Sequence, residues 1–299
     1  MTELTRIAPE VEQALHEDGP VVALETTLVA HGFPPRVGVE VGRAAEAVVR
    51  SEGGVPATVG VVDGAVVIGL TDPELARFGQ AGTAARKAGP RDLASCVTSG
   101  ELGATTVGGT LAAARVVGIR FIGTGGLGGV HRGFAERPDV SADLAQLART
   151  RALVVSSGVK SLLDVAATAE VLESLGVPAL GYRTDELPLF YQAGGGPPVS
   201  ARVESPDEAA RTAQAHWELG GGGLLLARDP DDGIDVEPLV EEALAAAAGQ
   251  GVRGQDVTPF VLAFLHERSG GRTLEVNREL IVANARLAAQ VAVATVRRA

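Results

Sequence analysis

Short apolar runs alternate with alanine-rich stretches of helical period along most of this chain, and that alternation constrains its fold more than any other feature. Val21-Val-Ala-Leu24, 120–122, 153–155, 179–182 and 223–227 read as buried strands, the first ending at Glu25. Between and after them, 9–16, 36–51, 73–79, 106–117, 143–149, 161–175, 206–219, 236–248, 258–268 and 274–297 carry helical periodicity. Two further strands, 57–62 and 65–70, flank Asp63-Gly64, a two-residue hairpin signal. Strands alternating with helices imply a parallel sheet covered on both faces. The expectation is an α/β fold: three layers, α/β/α, around a largely parallel, mixed central sheet. Aromatic residues are 3% of the chain, so the core is built from Val, Leu, Ala and Ile. Gly194–198 reads as a loop, no internal repeat is visible, and one domain over 1–299 is expected.

Composition excludes several classes of function. The net charge of −11 argues against a nucleic-acid footprint, which needs a basic face. It leaves room for a small anionic substrate in a locally positive pocket. The single cysteine, Cys96, rules out an internal disulfide framework and fits a reducing compartment. The N-terminal residues lack a basic-then-apolar signal pattern, and no uncharged apolar run is long enough to span a bilayer. The expected location is cytoplasmic, away from membranes.

Of the 26 Lys+Arg residues, only Lys87 and Lys160 are lysines. Arginine substitutes for lysine as a surface cation but not as an amine, because only an ε-amine can attack a carbonyl and form an imine. Both lysines lie in glycine-rich contexts that read as loops, and Lys160 follows the apolar run 153–155 through Ser-Ser-Gly. Glu25 stands at the end of another strand beside Thr26, Thr27 and His31, where a carboxyl group can serve as a general acid. A third strand delivers Gly123-Thr-Gly125-Gly-Leu-Gly128, with Asp143 twenty residues on, the spacing of a dinucleotide fingerprint. The fingerprint also needs a helix opening at its third glycine, and 130–140 contains Gly133 and Pro138 with no helical period. A backbone nest for a phosphate or carboxylate is the alternative use of such a loop. Ser141 reads as the N-cap of the 143–149 helix, and Asp139 just before it is a candidate ligand for Mg²⁺ or Mn²⁺. No His/Cys spacing suits zinc. His31 and His131 both adjoin glycines and are candidate proton shuttles. Ligands of open α/β sheets bind outside the carboxyl ends of the strands, so Glu25, the Gly123 loop and Lys160 are expected to converge.

The stretches ALETTLVAHGFP, VPATVGVVDG, GATTVGGTL, TGGLGGVHRG, DVSADL, SSGVKSLLD, TPF and EVNREL, in this order, resemble the pseudouridine-5′-phosphate glycosidases, or indigoidine synthase A-like family, over nearly the whole chain. The resemblance implies a homotrimeric, Mn²⁺-dependent lyase with one ion per subunit, other divalent ions being possible. Such enzymes reversibly cleave the C–C glycosidic bond of pseudouridine 5′-phosphate to uracil and ribose 5-phosphate. It implies Glu25 as proton donor, Lys160 as covalent nucleophile, and Asp143 and Asn277 as further catalytic groups. Lys87, Val107, Ser141, Ala142 and Asp143 fall at substrate-binding positions, and Asp139 at the metal position. The reaction it implies runs through a ring-opened sugar linked to Lys160. Three other readings stand beside it: a nucleotide-cofactor protein using the glycine loop, a non-catalytic sugar-phosphate binder, and a lyase for another C-nucleoside.

Overall fold

The computed structural model describes residues 4–136, 138–253 and 257–297. The main sheet runs in the order Thr5–Ile7, Ala65–Ile68, Val55–Val62, Val21–Glu25, Phe121–Gly123, Leu153–Ser156, Leu224–Arg228, Ala179–Tyr182 and Ala201–Val203. Gly103–Thr105 branches from Val55–Val62 and pairs with Arg86–Ala88. The two antiparallel pairings both involve Val55–Val62; the rest are parallel. The expected mixed, largely parallel sheet is therefore present. The predicted hairpin closes through Asp63 and Gly64, both with positive φ (50° and 78°), as a primed turn requires.

The two faces are covered by different helices. The Arg272–Val296 helix crosses Val21–Glu25, Phe121–Gly123 and Leu153–Ser156, and packs against the Pro35–Ser51 and Pro206–Glu218 helices. Ala285, Ala288, Ala289 and Ala292, spaced one and two turns apart, are all completely buried. Their small size lets the helix sit low on the sheet: a Cβ on Gly123 would come within 3.0 Å of Ala285 Cα. This helix is long and apolar enough to cross a membrane by length and composition, but 61% of its most apolar window is buried inside the protein. It is the core helix of one layer. The Val107–Val117 helix packs near Val21–Glu25 and against Ala142–Ala148.

Three local expectations change. Lys87 lies on the Arg86–Ala88 strand rather than in a loop. Gly195–Pro198 pairs with Glu186–Pro188 as a small antiparallel ribbon. The helix expected from 161 begins at Val165, because Leu163–Asp164 instead pairs with Val130–His131 and Asp164 caps the helix through the Ala167 amide at 2.9 Å.

Candidate active site

The chain leaves Val21–Glu25 to build Val55–Val62 on one side, then returns to build Phe121–Gly123 on the other. That reversal opens a crevice outside the carboxyl ends of the two central strands, where open α/β sheets bind ligands. A cavity of about 810 Å³ lies there. Glu25, Lys87, Asp139, Ser141, Ala142, Asp143, Lys160 and Asn277 all line it. Of the sequence-derived site residues only Val107 does not; its side chain is fully buried at the first position of its helix. Thr106, the cap of that helix, lines the cavity in its place. A helix has no intrahelical acceptor for its first amides, so the Val107 position can offer its backbone N–H where its side chain cannot reach.

Glu25 is 4% exposed, with both carboxylate oxygens held: the Thr27 hydroxyl donates to one and the Thr124 hydroxyl to the other. Thr124 follows the neighbouring strand, so the acid is fixed by the strand pairing itself. Beneath it, Thr26 and Thr105 both donate to Val59 O, at 2.8 and 2.7 Å, where Val55–Val62 parts from its neighbour.

Lys160 sits behind a turn that only glycine can make. Gly158 has φ +71°, and a Cβ there would lie 2.1 Å from Pro188 O. The Lys160 amide donates to Leu127 O at 3.2 Å, and Ser157 N–H to Gly125 O at 2.9 Å, tying the lysine turn to the glycine loop. Arg132 holds the far side, donating to Ser161 O at 2.8 Å while its charge is neutralised by Glu237.

The glycine loop is not a dinucleotide fingerprint. No helix opens at Gly128; its amide instead donates to Asp143 Oδ2 at 3.1 Å, while Gly108 N–H donates to Oδ1 at 2.7 Å. The anion received by the Gly128 amide is thus the protein's own carboxylate. Ser141 caps the following helix as expected, accepting from the Asp143 amide at 3.2 Å. A Cβ on Gly128 would lie 2.4 Å from Ser141 Oγ and 2.6 Å from Asp143 Oδ2, so this close approach depends on the missing side chain.

Two histidines face the cavity. Burial pushes the His131 imidazole below its ordinary range, with Asp139 opposing and Lys87 and Lys160 reinforcing the shift. His31, also lowered chiefly by burial, bonds Ala85 O through Nε2 at 2.9 Å. Both are therefore mainly neutral at pH 7. Among the described residues, the lining holds five cations (Lys87, Arg91, Arg149, Lys160, Arg253) and four carboxylates (Glu25, Asp92, Asp139, Asp143). The lining thus carries one more cation than carboxylates in a protein whose net charge is −11, which suits a small anionic ligand.

One residue escaped the sequence reading. Asn284, completely buried, donates through Nδ2 to Thr124 O at 2.8 Å and contacts Gly125 O and Ser157 Oγ, each at 3.2 Å. It pins the loop beside Glu25 to the turn before Lys160. The available signal was its spacing: it lies seven residues, two turns, after Asn277 on one helix, and these are the chain's only asparagines.

Residues 10–294 match the family model described as indigoidine synthase A like protein. A pseudouridine-5′-phosphate glycosidase from Herpetosiphon aurantiacus is 45% identical over 98% of each chain. One from Streptomyces griseus subsp. griseus is 47% identical, covering 96% of this chain and 91% of its own length. Among solved structures, the prealnumycin C-glycosynthase AlnA in complex with ribulose 5-phosphate superposes with a TM-score of 0.90 at 38% identity, covering 100% of this chain and 99% of its own.

Proposed function

The chain belongs to the indigoidine synthase A-like family, and from that premise we propose that it reversibly cleaves the C–C glycosidic bond of pseudouridine 5′-phosphate, giving uracil and ribose 5-phosphate. The observation that carries this reading is the meeting of a doubly held carboxyl group, Glu25, and an amine, Lys160, in one cavity.

The chemistry accounts for both groups. Ribose C1′ is joined to uracil C5 through carbon, so protonating a heteroatom leaving group is not available. In the proposed reaction Glu25 gives a proton to the ribose ring oxygen as the C1′–O bond breaks and the sugar opens. The Lys160 amine bonds to C1′ and, once deprotonated, holds a lone pair there. When uracil C5 is protonated, that pair forms the C1′=N bond as C1′–C5 breaks, and the bonding electrons pass to the ring carbonyl beside C5. Uracil departs, and water hydrolyses the imine to ribose 5-phosphate and the free amine. A guanidinium cannot supply that lone pair. Asp143 and Asn277 orient the reacting sugar and base. Lys87, Ser141 and the Val107 amide at the start of its helix receive the phosphate as hydrogen-bond donors, the lysine as a charge-assisted one.

A divalent cation fits this site only in one form. Among the described residues no three His, Cys, Asp or Glu side chains are grouped to hold a metal. Asp139 offers a hard carboxylate to the cavity with the His131 imidazole in electrostatic range, so Asp139 would hold Mn²⁺ with water and substrate oxygens completing its shell. When bound, the ion would add positive charge beside the sugar phosphate. The trimer implied by the resemblance belongs to the same proposal, and sedimentation tests it.

Borohydride reduction in the presence of ribose 5-phosphate, followed by peptide mass spectrometry, tests the reading. A reduced pentose phosphate adduct on Lys160 is expected, and K160R should keep the fold and lose turnover. Turnover without an adduct on Lys160, or an active K160R, would refute it. The similarity to a C-glycosynthase favours one variation, the same chemistry with another planar acceptor; substituting other bases for uracil in the condensation assay distinguishes the two.

A further inference from the structure

We propose that Phe190 is the aromatic wall against which the base lies, and that it sets which planar acceptor the enzyme takes. This deepens the reading above and rests on it.

Phe190 has φ +65°, a left-handed conformation that bulky residues rarely adopt and that recurs at functional sites. The surrounding turn enforces it: Tyr191 N–H donates to Leu189 O at 2.8 Å, and Leu189 N–H to Gln192 O at 3.0 Å. The same turn is fastened to the lysine segment on both sides. Gly158 bridges to Leu189, and the Ser161 hydroxyl donates to Leu189 O at 2.6 Å. Tyr191 then meets the Phe190 ring edge-on, with centroids 4.6 Å apart.

This arrangement places the ring beside the lysine. A Cβ on Gly126 would lie 2.5 Å from Phe190 Cδ2 and 3.2 Å from Lys160 Cγ, so ring and lysine stem rest against the same glycine. Phe190 is 4% exposed and belongs to the cavity lining; among the described lining residues it is the only Phe, Tyr or Trp. In a chain with 3% aromatics, that position is not explained by abundance.

The location follows from bonding. The sugar carbon that joins Lys160 is the carbon that carries the base, so the base lies two bonds from the lysine nitrogen, near the walls that flank it. Lys87, Ser141 and Asp143 present charge and hydroxyl, which suit a phosphate and a sugar. Phe190 contributes the aromatic, apolar part of the lining beside the lysine, which suits a pyrimidine ring rather than a phosphate or a sugar.

The test uses F190L and F190Y beside the wild-type protein, with melting curves to confirm folding. Removing a stacking partner should raise the uracil KM of F190L roughly 5- to 150-fold, while its yield of borohydride-trapped ribose 5-phosphate adduct stays near wild type. F190Y, which keeps the ring, should restore uracil affinity. An unchanged uracil KM in folded F190L overturns the proposal, as does parallel loss of adduct and affinity, which would make Phe190 a support for Lys160. Absence of the adduct in the wild-type protein refutes the underlying reading instead. A measurement without variants guards against misfolding: with Phe190 assigned among the seven phenylalanines, saturating its ring protons in the reduced adduct should transfer to uracil H6. No transfer at saturating uracil also overturns the proposal.

Discussion

Replacing Asn284 with alanine should loosen both halves of the site at once. Its carboxamide is fully buried, and Nδ2 has two hydrogens to share among Thr124 O, Gly125 O and Ser157 Oγ. Gly125 O retains the Ser157 amide at 2.9 Å as a donor, so the heaviest loss falls on Thr124 O, which Asn284 holds at 2.8 Å. A buried acceptor stripped of its donor costs about 1–3 kcal/mol, and the small void left by the carboxamide adds about 1 kcal/mol. Together these predict destabilisation of about 2–4 kcal/mol. Unfolding entropy for 299 residues is about 0.6 kcal/mol/K, so the melting temperature should fall by about 3–6 °C. Activity should fall further than stability suggests. Thr124 holds Glu25 and Ser157 opens the lysine turn, and a misplacement near 1 Å costs up to about 100-fold. N284D should not rescue either effect: it keeps an acceptor for Ser157 but lacks the amide hydrogens and sets a carboxylate against two carbonyl oxygens. Differential scanning fluorimetry and kcat/KM of both variants check this. A melting temperature within 1 °C and kcat/KM within twofold of wild type would refute the argument.

Three other outcomes are expected. K87R keeps the charge but changes the donor geometry, so KM for the sugar phosphate should rise by about tenfold with kcat largely kept; loss of turnover at saturating substrate would show that Lys87 does more than bind. G128A forces a methyl group against Ser141 and Asp143, and should cost at least about 1–3 kcal/mol of stability together with most activity, read from melting curves and initial rates. Glu46, away from the site, accepts a hydrogen bond from Thr58 and has its carboxyl pushed above the ordinary range mainly by burial. The native state therefore holds this proton more tightly than the unfolded chain, and wild-type stability falls as pH rises from the ordinary Glu value through the raised one. E46Q, which keeps an acceptor for Thr58 and has no charge to bury, should be the more stable protein at neutral pH, with the gap closing toward pH 4 in urea titrations.

The layered α/β/α class was legible in the residues because helix and strand periods are local properties: the Pro9–His16 helix, the Ala179–Tyr182 strand and the Asp63-Gly64 turn lie where their side chains alone place them. Lys160 and Glu25 were legible for a related reason, since each follows an apolar strand and carries chemistry no neighbour can supply. The strand around Lys87 was not legible, because three residues beside Gly-Pro are held extended only by the distant Gly103–Thr105. Gly195–Pro198 was missed likewise, since a pairing partner rather than β-propensity makes it a strand. The spacing of Asp143 from the glycine loop suggested a cofactor fingerprint, and only the fold shows the carboxylate turned back onto Gly128 and Gly108.

The sequence by itself determined the main helices and the central strands, that they would stack in three layers, and which few side chains were chemically singular. Tertiary structure alone decided that Val21–Glu25 and Phe121–Gly123, nearly a hundred residues apart, lie side by side, and so that Thr124 reaches Glu25 and Asn284 reaches both loops. The physical reason is that strand order and helix crossing are set by the burial of whole faces against one another, a sum over the entire core that no local stretch of residues contains.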